Sequence, residues 1–274
     1  MAPLADTKIA RDPTPCPDCG VKPGQPHHDR CDVERCSVVT DRPILFTPEN
    51  VLKILDGTKS QTRRVAQVPS HWSIPPARFH KGMFNRYGVE ESQESIKCPF
   101  GLVGDRLWVK ESWRVGAWNE EEGTIAVDYR ADNYARREWL TLPDDDGEKF
   151  NKLWLDTCDE LSAKGIEPDE DGYHWKPGES PCKWRSGLFM PRWASRLTLE
   201  ITAIRVERVQ DIAQLDAMEE GCSGPDHKAM FRELWDSINM KRGHSWNNNP
   251  DVWCLTFRCV SLETTYHERD AVLG

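Results

Sequence analysis

Gly57-Thr-Lys-Ser-Gln-Thr-Arg-Arg64 is the densest run of chemically useful side chains in the sequence, and the fold prediction starts from it. A helix is predicted directly before this run, because Thr47 can cap the first turn and Pro48 suits the first helical position. Gly57 suits the helix end, where glycine lets the chain turn sharply. The polar side chains that follow can therefore converge on one spot. The predicted apolar face of the helix consists of Val51, Leu52 and Leu55.

The second half of the run predicts a strand from Thr62 to Val65. Side chains alternate between the two faces of a strand, so Thr62 and Arg64 are expected on one face and Arg63 on the other. A short strand from Arg42 is expected to precede the helix. Strand, helix and strand together open the main domain.

Length and composition indicate a globular protein. The chain has 274 residues, of which 38% are apolar, and its 12 Trp can fill a sizeable core. No stretch approaches the roughly 20 apolar residues of a membrane span, and no signal-peptide pattern opens the sequence. A cytoplasmic location and no membrane partner are therefore expected. In that compartment the 10 cysteines are more often thiols or metal ligands than disulfides.

The net charge of -9 is unevenly distributed. Residues 116–171 contain 17 Asp or Glu against 6 Lys or Arg, a balance of 6 - 17 = -11, which exceeds the whole deficit. This predicts an acidic insertion at about 116–180 with a solvated surface, within which a strand is expected at 125–129 and a helix at 150–163. Residues 57–89 are the opposite, with cations, aromatic rings and no acidic residue. Such a segment favours a nucleotide or single-stranded nucleic acid, although a solvated loop with buried rings is an equal alternative.

A zinc module is predicted close to the N-terminus. Cys16 and Cys19 are separated by two residues, which lets both thiolates face one tetrahedral ion. Cys31 and Cys36 complete a four-thiolate set, which would make the Zn²⁺ structural. The alternatives are free thiols or a redox pair. His27 or His28 could also replace one of the cysteines.

The remaining chain predicts more strands and two helices. Residues 106–113 alternate so that Glu111 shares the apolar face, either as a buried ion-pair partner or as a site residue. The aromatic and basic stretch at 184–193, which ends at Trp193, could wall a base-binding pocket or cap a barrel end. A long strand at 196–209 comes next, and a helix that Asp211 is expected to cap follows it and ends near Glu219. A second helix at 226–240 and a closing strand at 252–258 complete the domain. The predicted class is α+β, a small mixed β-barrel with short helices at its rim.

These motifs resemble the ASCH family of the PUA-like superfamily. Gly57-Thr-Lys-Ser-Gln-Thr-Arg-Arg64 is similar to its G-x-K-x-x-T-x-R signature, and Gly104-Asp-Arg-Leu-Trp-Val109 is similar to its G-D-x-L-x-V strand. Further arrangements look like the ASCH proteins of phages and prophages. The resemblance spans about residues 42–260 and excludes the zinc module. The expected organisation is a disordered tail at 1–15, a zinc knuckle at 16–40, a PUA-like domain at 41–262 and a C-terminal tail at 263–274.

The resemblance also implies a chemistry. Small ASCH proteins include amidohydrolases that remove the acetyl group of N4-acetylcytidine with a lysine, a threonine and a glutamate. Lys59 and Thr62 match the first two, and an ungapped count from the strand at Glu200 places the third on Glu220, with Glu219 as the alternative. The expected substrate-binding residues are Arg63, Arg64, Glu111 and Trp193.

The residues also suit amide hydrolysis on chemical grounds. Lys59 could act as a base if burial lowered its pKa, and Thr62 could attack or position a water. Glu220 could move the proton, and Arg64 could hold a phosphate or the oxyanion. The alternative is a non-catalytic module that binds RNA or modified DNA, in which Lys59 and Thr62 recognise phosphate and Glu220 only ends a helix.

Overall fold

The central element is a five-stranded sheet with the order β1-β6-β10-β11-β2. The structure is a computed structural model, and it describes residues 39–67, 78–80, 83–85, 95–119, 124–132, 137–141, 147–168, 173, 175–176 and 178–262. The sheet strands are β1 (Asp41–Leu45), β2 (Gln61–Val65), β6 (Arg106–Lys110), β10 (Leu197–Arg208) and β11 (Asp251–Leu262). Strands β1 and β6 run parallel, and the other pairs are antiparallel.

Two smaller antiparallel sheets and four helices complete the described part. One sheet contains β3 (Arg78–His80), β4 (Met83–Asn85) and β5 (Ser95–Lys97), and the other contains β7 (Trp113–Asn119), β8 (Thr124–Tyr129) and β9 (Arg137–Thr141). The helices are α1 (Pro48–Leu55), α2 (Gly147–Ser162), α3 (Gln214–Glu219) and α4 (His227–Asn239). None of the helices in these ranges is long and apolar enough to cross a membrane. The α+β class is confirmed.

The predicted barrel does not close among the described strands. Strands β1 and β2 are the two edges of the central sheet. Arg64 on β2 nevertheless donates from Nη2 to the carbonyl oxygen of Leu45 on β1 at 2.8 Å. The two edges therefore lie close together, which requires the sheet to curve. The register of β10 against β11 shifts between Ile201 and Ala203, and such irregularities increase bending and twist.

The concave face of the sheet holds the main core. Residues that alternate along each strand point into it, which is why Leu199 and Ile201 on β10 share a buried cluster with Leu255 and Phe257 on β11. Helix α1 covers this cluster with Val51 and Ile54. Its start is as predicted, since Thr47 Oγ1 accepts from the Asn50 amide at 3.4 Å. Of its predicted apolar face, Val51 and Leu55 contact the core, whereas Leu52 is exposed and Ile54 is buried in its place.

Helices α3 and α4 pack on the other face of the sheet. Phe231 and Trp235 of α4 share a buried cluster with Val252 of β11. The helix predicted at 226–240 corresponds to α4, and Asp226 caps it by accepting from the Ala229 amide at 3.0 Å. The predicted cap of α3 at Asp211 is wrong, because residues 209–211 form a separate 3₁₀ turn and α3 begins at Gln214.

The acidic region contains a core of its own. Sheet β7-β8-β9 and helix α2 enclose a buried cluster that includes Val115, Tyr129 and Leu161. The strand predicted at 125–129 and the helix predicted at 150–163 correspond to β8 and α2. The predicted solvated surface therefore applies to only part of the acidic region, since its apolar residues form a separate buried core. The zinc module and both tails lie outside the described residues.

A tight turn at residues 101–105 connects the start of β6 to the start of β1, its neighbour in the sheet. Gly101 has a φ of +110°, and a Cβ there would lie 2.5 Å from Asp105 Oδ2. This close approach lets the Asp105 carboxylate accept from the Leu102 amide at 2.9 Å and from the Thr40 amide at 2.8 Å. Asp105 therefore ties the start of β6 to the residue that precedes β1.

We expect Asp105→Ala to lower the free energy of unfolding by about 1–3 kcal/mol, because two backbone N–H groups lose their acceptor. Urea denaturation followed by tryptophan fluorescence measures the change. The control is Asp56→Ala, in which an exposed carboxylate that caps the amide of Thr58 is removed. A loss at Asp105 no larger than that at Asp56 would contradict the role assigned to this turn.

Candidate functional site

The turn after α1 delivers Lys59 to the protein interior. Gly57 adopts a φ of +80°, as its position after the helix predicts. The Asp56 carboxylate then accepts from both the amide and the hydroxyl of Thr58, at 2.9 and 2.6 Å. The Lys59 amide donates to the carbonyl of Lys53 at 2.8 Å. These bonds hold the turn, and the side chain of Lys59 leaves it buried.

Lys59 and Glu220 meet although 161 positions separate them. Lys59 Nζ donates to Glu220 Oε2 at 2.6 Å and to the Glu220 carbonyl at 2.9 Å. Their backbones also form an isolated antiparallel bridge, next to a bond from the Ser60 amide to the Glu219 carbonyl. The exposed fractions of the two side chains are 1% and 4%. Burial lowers the pKa of Lys59, and the Glu220 carboxylate opposes that shift.

Glu220 is also held by Arg63. Arg63 Nη1 lies 3.1 Å from Glu220 Oε1, so each carboxylate oxygen has its own cation. Arg63 also forms ion pairs with Glu207 at 2.6 Å and with Asp216 at 3.3 Å. Burial works against its charge, but nearby negative groups, including the Glu220 and Glu207 carboxylates, outweigh burial and raise the pKa of Arg63. Glu219 faces the amide of Gln61 instead, so Glu220 is the glutamate that meets Lys59.

Thr62 and Arg64 lie on the opposite face of β2, as the alternation predicts. Arg64 Nη1 donates to Thr62 Oγ1 at 2.9 Å. The Arg64 guanidinium lies over the ring of Phe46 at 5.0 Å, and Lys59 Nζ approaches the same ring at 6.0 Å. Thr62 is buried. The structure thus brings Lys59 and Glu220 into contact, and links Thr62 to them through Arg64 and Phe46.

A polar network behind Glu220 was not predicted from the sequence. Gln61 and Arg205 both bond Asp216, at 3.1 and 2.9 Å, and Arg205 also bonds Glu207 at 2.8 Å. Despite partial burial, the bonds from Gln61 and Arg205 lower the pKa of Asp216. The sequence did contain an indication of this network, because the charged residues Arg205 and Glu207 alternate with apolar residues along β10. This network joins α3 to the central sheet.

Glu111 belongs to another cluster. It forms a two-point ion pair with Arg196, at 2.9 and 3.1 Å, and Arg196 also reaches Asp132 at 2.6 Å. Glu111 is 1% exposed, and the guanidinium of Arg196 lies 4.0 Å from the ring centroid of Tyr129. Of the two alternatives, the contacts favour a buried ion-pair partner over a substrate contact.

Trp193 also lies apart from Lys59. Its ring meets Trp113 edge to face at 5.8 Å, within the core of the acidic region. In the part of the chain that the structure describes, no group of three or more His, Cys, Asp or Glu side chains could hold a metal ion. The predicted zinc ligands, Cys16 to Cys36 with His27 or His28, fall in residues 1–38 and stay a sequence prediction.

Comparison with known proteins supplies no name for this arrangement. The chain matches no family model, no curated protein and no solved structure. What identifies the site is therefore its own geometry: a buried Lys59–Glu220 pair and, on the strand β2 that begins two residues after Lys59, Thr62 bonded to Arg64.

Proposed function

We propose that the chain is an ASCH protein of the PUA-like type, and that it hydrolyses an N-acyl group from a modified pyrimidine nucleoside resembling N4-acetylcytidine. The observation that carries this proposal is the buried contact of Lys59 with Glu220 at 2.6 Å. Two buried charges cost free energy on folding, so such a pair beside a threonine is a candidate for chemistry. The curved sheet, with its edges bridged by Arg64, supports an incomplete PUA-like barrel.

The proposed reaction needs an oxygen nucleophile, a proton route and stabilised negative charge. The Thr62 hydroxyl either positions a water that attacks the acyl carbon, or attacks it directly to form an acyl ester that a water then hydrolyses; in both routes a C–O bond forms and the C–N bond breaks. Neutral Lys59 accepts the proton of the nucleophile, and Glu220, hydrogen-bonded to Lys59 Nζ, passes a proton on to the leaving amine. Arg64 donates to Thr62 Oγ1 and stabilises negative charge there.

We infer that a substrate enters at the gap between β1 and β2, the two sheet edges that Arg64 bridges. Lys59 and Thr62 are 3% and 1% exposed, whereas Leu45 at the end of β1 is 48% exposed. Arg64 spans this gap and is half-buried. A substrate therefore reaches Thr62 by displacing the Arg64 side chain or by binding to it.

The test is to incubate the protein with N4-acetylcytidine and related N-acylated nucleosides and to measure the deacylated product by chromatography. Thr62→Val removes the hydroxyl at nearly constant volume and is expected to lower turnover at least about 100-fold. The matched control is Thr198→Val. Thr198 is also buried and accepts from an arginine, Arg192, but it lies elsewhere on the sheet. Lys59→Ala should also abolish turnover.

Two outcomes would contradict the hydrolase. Equal losses in Thr62→Val and Thr198→Val would show a general effect on the fold and would contradict the role assigned to Thr62. No product with any acylated nucleoside would favour the second candidate, a module that binds RNA or modified DNA without chemistry. The observation that favours this binding module is the basic and aromatic composition of residues 57–89. Its signature would be nucleic-acid affinity that falls steeply with salt.

The remaining assignments rest on the sequence. A cytoplasmic location, in a bacterium or a phage-infected cell, follows from the composition and from the resemblance to phage ASCH proteins. The structural Zn²⁺ at Cys16, Cys19, Cys31 and Cys36 is part of the same proposal.

A further inference from the structure

Arg63 lies behind the Lys59–Glu220 pair, and its side chain is 0% exposed. Its guanidinium contacts three carboxylates. Nη2 lies 2.6 Å from Glu207 Oε1 and 3.3 Å from Asp216 Oδ2, and Nη1 lies 3.1 Å from Glu220 Oε1. A substrate could reach this guanidinium only by breaking these contacts. The geometry therefore favours a role behind Glu220 over the substrate contact that the family resemblance implies for Arg63.

The two oxygens of the Glu220 carboxylate are divided between two cations. Lys59 Nζ holds Oε2 at 2.6 Å, and Arg63 Nη1 holds Oε1 at 3.1 Å. Burial lowers the pKa of Lys59, and the negative charge of Glu220 opposes that shift. Arg63 compensates part of this negative charge, so Glu220 holds the Lys59 proton less firmly than an anion facing Lys59 alone. Since neutral Lys59 is the base of the proposed reaction, this compensation favours the reactive form.

The other charged and titratable groups around the pair come from all the neighbouring elements. They are Lys53 on α1, Arg64 on β2, Arg205 and Glu207 on β10, Asp216 and Glu219 on α3, Cys222 after α3 and Cys254 on β11. Burial raises the pKa of both thiols, which are therefore neutral at neutral pH. Among the described residues, only Lys59 and Arg63 form ion pairs with Glu220. Arg63 is thus the second cation that acts directly on this carboxylate.

We propose that Arg63 is a positioning residue for the hydrolysis, which fixes Glu220 through Oε1 and keeps Lys59 available in its neutral form. Glu207 and Asp216 hold the guanidinium of Arg63 in place. Arg63 touches no reacting atom and acts only through Glu220. This inference rests on the proposed function for its reaction, but its effect on Lys59 is measurable without a substrate.

The experiment follows the titration of Lys59 in the full chain by NMR of isotope-labelled lysine, with Lys59→Arg to assign the signal. Arg63→Gln removes a positive charge beside Glu220, so the Lys59 titration is expected to move to higher pH by about 1 unit or more. Arg63→Lys keeps the charge and should reverse most of this shift. Glu207→Gln removes a negative charge behind the guanidinium and should move the titration the opposite way, to lower pH. Because Glu207 is partly exposed, this variant tests the proposal even if Arg63→Gln fails to fold.

The deacylation rate supplies a second readout. Since neutral Lys59 is the base, the rate should rise with pH through the Lys59 titration, and Arg63→Gln should move this rise to higher pH. On the rising limb, kcat should therefore fall about 10-fold or more at constant pH, while KM changes less than about 3-fold. A direct substrate contact of Arg63 would instead raise KM and leave the pH dependence in place.

The matched control is Arg196→Gln, which removes a similarly buried arginine from the separate cluster with Glu111 and Asp132 and should leave the Lys59 titration unchanged. An unmoved titration in Arg63→Gln and Glu207→Gln, a shift of the same sign in both, or an equal shift in Arg196→Gln would overturn the proposal. The two hypotheses fail separately. The expected Lys59 shifts without any deacylation would refute only the hydrolase, whereas deacylation with a pH dependence unaffected by Arg63→Gln would refute only this inference.

Discussion

Replacing Lys59 by methionine is expected to lower the free energy of unfolding by about 3–5 kcal/mol, because Glu220 is left buried with one oxygen unpaired. Arg63 still holds the other oxygen at 3.1 Å, so the protein is expected to remain folded at low temperature. Urea denaturation at neutral pH measures the change.

A double-mutant cycle isolates the contact itself. Lys59→Met combined with Glu220→Gln should be more stable than the sum of the two single losses, by about 1–3 kcal/mol. The matched control is Lys164→Met, which breaks a contact of similar length to Glu160, where the lysine side chain is 42% exposed. That variant should cost about 1 kcal/mol or less. Additive losses at Lys59 and Glu220 would mean that the two groups do not form a coupled pair.

Replacing Arg196 by methionine is expected to cost a similar amount, about 3–5 kcal/mol. Glu111 would lose both of its bonds to the guanidinium, and Asp132 would lose the one at 2.6 Å. The ring of Tyr129 would lose its cation contact at 4.0 Å as well. Thermal and urea denaturation measure the loss. This cluster joins the residue before β10 to the segment after β8, so a large loss would show that Glu111 contributes to the fold.

The control for Arg196 is Arg258→Met, which breaks an ion pair with Glu200 at the surface. Its cost should be within about 1 kcal/mol of zero. If Arg196→Met were equally mild, Glu111 would not depend on its partner, and its role as a substrate contact would regain support.

Much of the local structure follows from short-range signals. Thr47, Pro48 and Gly57 predict α1 because capping, fixed φ and positive φ each act within a turn. The apolar periodicity of residues 226–240 likewise predicts α4 to within one residue at each end. The cap predicted at Asp211 failed because residues 209–211 take a 3₁₀ turn, and the Asp216 carboxylate then lies 3.5 Å from the Ala213 amide at the start of α3. Local propensity is a weak guide where tertiary contacts compete.

By itself, the sequence determined the alternation that separates Thr62 and Arg64 from Arg63, since a strand has a period of two. Only the tertiary structure decided which partners these side chains meet. Lys59 reaches Glu220 across 161 positions, and Arg64 reaches Leu45 across 19, because the strand order and the curvature of the sheet bring those segments together. No local pattern encodes strand order, which depends on how all the apolar faces are buried at once.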